Sequence, residues 1–340
     1  MNGYERIKAA LENKPTNKVP VMLHNFMVVA KEAGLTMDEY RNNPKAIAEA
    51  FIRSIEKYKY DGILVDIDTV TLAGACGANV DFPIHEPARI HKGILQSYND
   101  LKKIKPINVN NYKYIQIWCE AVWLLKDYFK NEIYIRGNCD QAPFSLAGLI
   151  RGMEDWMTDL YLADENLVFE LLDLCSEATI QFIRLMCKTG ADMVSNGDST
   201  AGPELLPSEL FEKYALPYEK KVVEIAHAAG IPYVLHICGN TDIIMDQMIK
   251  NGADGLELDY KTNSNMAFKK MKDKVTFFGN IDPSGIMALG TDEMVRQSTL
   301  ELLDVFSGTN RFVLNTGCAL PSNTPEENIM AFIQTAREYR

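Results

Sequence analysis

The feature that most constrains this chain is an alternation. Short runs rich in Val, Ile and Leu, each stopping at a polar cluster, recur along the 340 residues with helix-period patterns between them. Runs that are apolar throughout suit strands buried on both faces, and a helix after each strand supplies the crossover that parallel pairing demands. Eight such runs stand at 19–23, 62–68, 133–137, 193–197, 233–238, 255–259, 276–279 and 312–315. Helical spacing covers 44–58, 112–129, a long pair across 147–188, then 207–229, 241–250, 265–272, 291–306 and 325–339. Gly190, Gly230, Gly252 and Gly308 follow helix ends, where a left-handed cap is expected. Eight strand–helix units predict an α/β fold, a single (β/α)8 TIM barrel occupying 1–340 as one domain. The stretch 69–106 is too long for a simple connection, and its Gly74, Gly77, Pro83, Pro87 and Gly93 predict an excursion after the second strand, a small hairpin over the barrel mouth.

Composition narrows the function. Lys and Arg number 35 against 46 Asp and Glu, a formal charge of −11, with no basic block, so nucleic acid is an unsuitable partner. No window approaches the ~18 apolar residues of a membrane span. Seven cysteines, an odd number spread over a long chain, point to a reducing cytoplasm rather than a disulfide framework. Neither a glycine-rich phosphate loop nor a serine nucleophile elbow is present.

Barrel chemistry gathers where strands finish, and these strand ends are polar. They carry His24 and Asn25, Asp66 and Asp68, Arg136 and Asn138, Asn196 and Asp198, His236 and Cys238, Glu257 and Asp259, Asn280 and Asp282, and finally Cys318. Alternate side chains of a strand share a face, so His236 and Cys238 point the same way. Imidazole nitrogen and thiolate suit Zn²⁺, and a third ligand completes a catalytic site with one open position. Cys318 is the best candidate, with Gly317 giving the backbone freedom to turn the thiol inward. Asp259 or Glu257 is a possible fourth ligand, Asp259 being preferred. Cys119, Cys175 and Cys187 lie on helical faces and read as packing residues.

Leu235-His236-Ile237-Cys238-Gly239-Asn240, Gly279-Asn280-Ile281-Asp282-Pro283, and Gly317-Cys318 followed by Pro321, Thr324-Pro325 and Glu327-Asn328 resemble the uroporphyrinogen decarboxylase superfamily. Within it they are similar to the zinc-dependent corrinoid methyltransferase branch, and Pro20-Val21, Pro207-Ser208-Glu209 and Leu216-Pro217-Tyr218 extend the likeness over nearly the whole chain. The resemblance implies a (β/α)8 barrel and zinc on His236, Cys238 and Cys318. It further implies methyl transfer between a corrinoid carrier protein and a small substrate such as the thiol coenzyme M. His236, Cys238, Cys318 and Asp198 are then expected in the chemistry, and His24, Asp66, Arg136, Asn196 and Asn280 in binding substrate or cofactor. Transfer from methanol or an aryl methyl ether to the corrinoid protein is the alternative direction. Uroporphyrinogen decarboxylation and a non-catalytic tetrapyrrole-binding barrel stay open as further readings. Against the decarboxylase, the first strand leads into His24-Asn25-Phe26-Met27 and not into the arginine-rich loop that holds a polycarboxylate in that branch.

Overall fold

The computed structural model describes residues 1–104 and 107–339. Its strands are β1 (Met22–Leu23), β2 (Gly62–Val65), β3 (Tyr134–Gln141), β4 (Met193–Gly197), β5 (Tyr233–Ile237), β6 (Gly255–Leu258), β7 (Thr276–Ile281) and β8 (Phe312–Thr316). They pair in chain order, all in parallel. Between β8 and β1 a bridge joins Val21 to Leu314, where the Leu314 N–H donates to the Pro20 carbonyl at 2.9 Å. The (β/α)8 architecture read from the alternation is therefore present. β1 is shorter than the run containing it, since Pro20 has no N–H to give the ladder.

Two departures shape the site. β3 continues past the predicted stop at 137, through a bulge that pairs Asn138 with Ser195 and then Gln141 with Gly197. Inside the bulge Asp140 adopts φ +61°, a left-handed conformation that Asp tolerates better than most side chains. The other departure is at the floor. The helix Gly3–Leu11, absent from the sequence reading, begins with a capping box between Asn2 and Glu5 and packs Ile7 and Ala10 against Met22, Tyr134, Met193, Val234, Phe278 and Val313. Tyr4, Ile7 and Leu11 recur at helical spacing in a segment whose charged residues hide the stripe.

The outer ring follows the predicted pattern with local revisions. Pro44–Tyr58 forms as expected, whereas the segment 147–188 belongs to three helices, Pro143–Arg151, Met153–Leu162 and Glu165–Cys187, because Gly152 at φ +92° breaks the first pair. The stretch 207–229 is helical from Ser208 to Ala228 as expected but not α throughout: Phe211–Ala215 takes a wider π turn ahead of Leu216–Ala228, where Pro217 has no N–H for the helical ladder. Helices Phe26–Glu32 and Met37–Asn42 also went unread. Gly190, Gly230 and Gly252 take the expected positive φ; Gly308 is not among the left-handed residues. The excursion contains the hairpin Val80–Asp81 with Arg89–Ile90, and its last two residues, Lys105 and Pro106, lie outside the described residues. Among the described residues no helix is long and apolar enough to cross a membrane.

Candidate metal centre

The alternation along β5 sets the centre. Leu235 and Ile237 face the helical layer, Val234 reaches the floor, and His236 points into the mouth with Cys238 just past the strand end. The His236 Nδ1 lies 3.0 Å from the backbone carbonyl of Glu257 on β6. That acceptor holds a ring proton on Nδ1 and turns Nε2, the nitrogen a metal would take, toward the Cys238 Sγ, 3.2 Å away. Cys318 follows β8, its carbonyl held by the Thr316 hydroxyl at 2.7 Å. Ring nitrogen and both sulfurs lie within 4.8 Å of one another. Gly317 earns its place for a reason other than the one expected. Its φ is not left-handed; a Cβ there would sit 2.3 Å from the Tyr260 amide nitrogen, so only glycine lets the loop pass.

The electrostatics suit a cation. The Cys318 thiol donates toward Cys238 and the imidazole adds its charge, which together bring the Cys238 thiol down to about 3. Cys318 moves the other way, held protonated by the neighbouring sulfur and by burial. Burial favours neutral His236, but the Cys238 thiolate and Glu257 outweigh it and raise the ring to about 9. The cluster thus already holds a negative sulfur and two protons, on the Cys318 sulfur and the His236 ring, that a cation can displace. One imidazole and two thiols form a borderline-soft donor set that fits Zn²⁺.

Asp259 is not drawn into the cluster. The expectation carried the inward parity of β6 past Leu258, where the strand ends. Its oxygens instead accept the backbone N–H groups of Gly239 and Lys261, both at 3.0 Å, tying the two loops together. Glu257, the alternative fourth ligand, lies at the barrel centre and pairs with Arg136, which also donates to Ser195 at 2.8 Å. Glu257 lies 3.8 Å from His24 and 3.9 Å from His236.

A cavity of about 310 Å³ opens above this layer, at the small end for ligand sites. His236, Cys238 and Cys318 form part of its wall, and His24, Asp66, Asp68, Asp140 and Gln141 also line it. The His24 Nε2 and an Asp66 oxygen are 2.7 Å apart. Asn196 lines the cavity too, with its amide donating to the Cys139 carbonyl at 2.6 Å and accepting from the Tyr233 hydroxyl at 3.0 Å. Of the expected site residues, Asp198, Asp259 and Asn280 do not line it. Asp198 is fully buried behind the strands, accepting from the Ser145 amide at 2.8 Å near Glu219, and Asn280 donates to the carbonyls of Asp259 and Thr262 at 3.1 and 3.2 Å. Sequence reasoning missed Asp140, Gln141 and Ser199. The first two sit on a strand end that the bulge displaces by four residues, and the only sequence signal was the continued polarity of 138–141.

Comparison with known proteins agrees with this geometry. The family described as uroporphyrinogen decarboxylase (URO-D) matches residues 2–339. Methylcobamide:CoM methyltransferase MtbA of Methanosarcina acetivorans is 29% identical over 341 residues, covering 99% of this chain and 98% of that protein. The protein of the same name in Methanosarcina mazei is 28% identical with the same coverage. A uroporphyrinogen decarboxylase of Prochlorococcus marinus is 24% identical, covering 96% of this chain and 95% of its own. Among solved structures, a methyltransferase from Methanosarcina mazei shares the fold at a TM-score of 0.89 and 21% identity, covering 100% of this chain and 99% of that one. With a match running nearly end to end, the chain belongs to the uroporphyrinogen decarboxylase (URO-D) family.

Proposed function

We propose that this protein is a methyltransferase that moves a methyl group between a corrinoid presented by a carrier protein and a small substrate, a thiol, bound in the barrel mouth. The observation that carries the reading is the convergence of His236, Cys238 and Cys318 on one point. Relatives named methylcobamide:CoM methyltransferases support the same chemistry. We further read the chain as one domain acting in the cytoplasm, in keeping with seven unpaired cysteines.

His236, Cys238 and Cys318 would hold Zn²⁺, which when bound supplies the positive charge that keeps a thiol, ordinarily ionised only near ~8.5, as thiolate at neutral pH. The Glu257 carbonyl fixes the ring of His236 in the metal-binding tautomer. Buried walls from His24 to Gln141 exclude bulk water, so the substrate sulfur keeps its nucleophilicity. That sulfur attacks the methyl carbon at the mouth; the S–C bond forms as the Co–C bond breaks, and the electron pair stays with cobalt. Asp66 and His24, joined by their hydrogen bond, orient the substrate.

Decarboxylation of a polycarboxylate fits the cavity less well. Arg136 is the one guanidinium among the described residues lining it, and Glu257 already neutralises that charge. The test is a methyl-exchange assay with methylcobalamin and a thiol, together with metal analysis. About one zinc per chain is expected, lost along with turnover in the His236→Ala/Cys238→Ala double variant; full turnover by metal-free protein would remove the zinc role.

A further inference from the structure

The cavity wall at the end of β3 carries two acceptors without partners. Asp140 is 1% exposed and Gln141 5%, and Asp140 Oδ1 and Gln141 Oε1 are both buried with no hydrogen bond. Leaving such atoms unpaired is costly, so each calls for a donor. The other Asp140 oxygen is occupied by the Leu72 amide at 2.6 Å. The bulge and the left-handed φ of Asp140 place these consecutive residues on the cavity, which both line. Charge points the same way. Arg136 is committed to Glu257 and His24 to Asp66, and among the described residues no lysine lines the cavity and Asp140 has no ion-pair partner.

We propose that Asp140 and Gln141 receive the protonated amine head of the small substrate, which makes the substrate an aminothiol rather than a sulfonate- or carboxylate-headed thiol. The substrate class rests on the cavity holding the methyl donor or acceptor; the amine site itself does not. Burial, and then the charge of Asp68, push the Asp140 carboxyl well above the usual carboxylate range, an anion cost that an ammonium bound at Oδ1 would offset. A sulfonate would instead add an anion to a wall that has no free cation to offer it.

The test compares three thiols of equal chain length, 2-aminoethanethiol, 2-mercaptoethanol and 2-mercaptoethanesulfonate, by calorimetric titration of zinc-loaded protein. The aminothiol is expected to bind about tenfold or more tighter than the sulfonate, and Asp140→Asn to erase most of that preference. Gln141→Leu gives a second reading should Asp140→Asn not fold. Propylamine titrated into metal-free protein probes the amine site without sulfur. If it binds there and loses binding in the variants, the amine site stands even where methyl exchange fails. Sulfonate binding as tight as the amine, or an amine preference that neither variant reduces, overturns the proposal.

Discussion

Glu257→Gln is the sharpest probe of how the barrel centre is held. The change keeps the shape of the side chain and removes its charge, leaving the Arg136 guanidinium buried with no anion opposite it. The two side chains are 1% and 2% exposed, so water cannot take over the lost partner. Stripping one member from a buried pair typically costs about 3–5 kcal/mol. A chain of this length unfolds with an entropy of about 0.7 kcal/mol per kelvin, so the midpoint should fall by about 4–7 °C. Urea unfolding and thermal scans read this directly. Burial alone would raise the Glu257 carboxyl, but Arg136, then His236 and His24, hold it below its ordinary value of 4.5. Such a group stabilises the fold fully above 4.5, and that contribution is lost as pH falls through the lower folded value. The gap between wild type and variant should therefore close in acid. The double variant Arg136→Met/Glu257→Gln should recover much of the loss, since no charge is then left unpaired. A single-variant cost below about 1 kcal/mol, or a gap that widens in acid, would refute the reasoning.

Two further outcomes follow from neighbouring residues. Gly317→Ala places a Cβ 2.3 Å from the Tyr260 nitrogen and pushes the Cys318 loop away from His236 and Cys238; zinc content measured by mass spectrometry should drop below half, while far-ultraviolet circular dichroism stays native. Glu219, buried beside Asp198, is held well above the carboxylate range, and Asp198 is raised to about 6, both mainly by burial. Raised carboxyls make the native state bind more protons, so stability falls as pH rises, the Asp198 contribution levelling off above about 6 while that of Glu219 continues to fall beyond it. Glu219→Gln, which mimics the protonated form, should flatten that fall and stay within about 1 kcal/mol of wild type at pH 7 in urea titrations; a loss above about 3 kcal/mol there would show that Glu219 is ionised.

The strand–helix alternation was legible because buried parallel strands must be apolar and their crossovers must be amphipathic, two periods that a sequence displays openly. The same parity argument placed His236 inside the mouth and, with Cys318 at another strand end, assembled the three-residue cluster. It failed where the chain stops being a strand. Asp259 was assigned to the inner face by extending an alternation that ends at Leu258. Asp198 and Asn280 were grouped with the site because strand-end polarity looks the same whether a side chain faces the cavity or anchors a loop. Asp140 and Gln141 escaped notice because a bulge leaves no period to read. Gly317 was chosen correctly on the wrong grounds: what it meets is the backbone after Asp259, a contact between segments some sixty residues apart that no local pattern encodes.

X-ray absorption at the zinc edge of the purified, metal-loaded protein addresses the centre itself. Two sulfurs at about 2.3 Å and an imidazole nitrogen at about 2.0–2.1 Å are expected, with one sulfur lost in Cys318→Ala. A shell of nitrogen and oxygen alone, or a sulfur count unchanged in that variant, would contradict the convergence of His236, Cys238 and Cys318 on one ion.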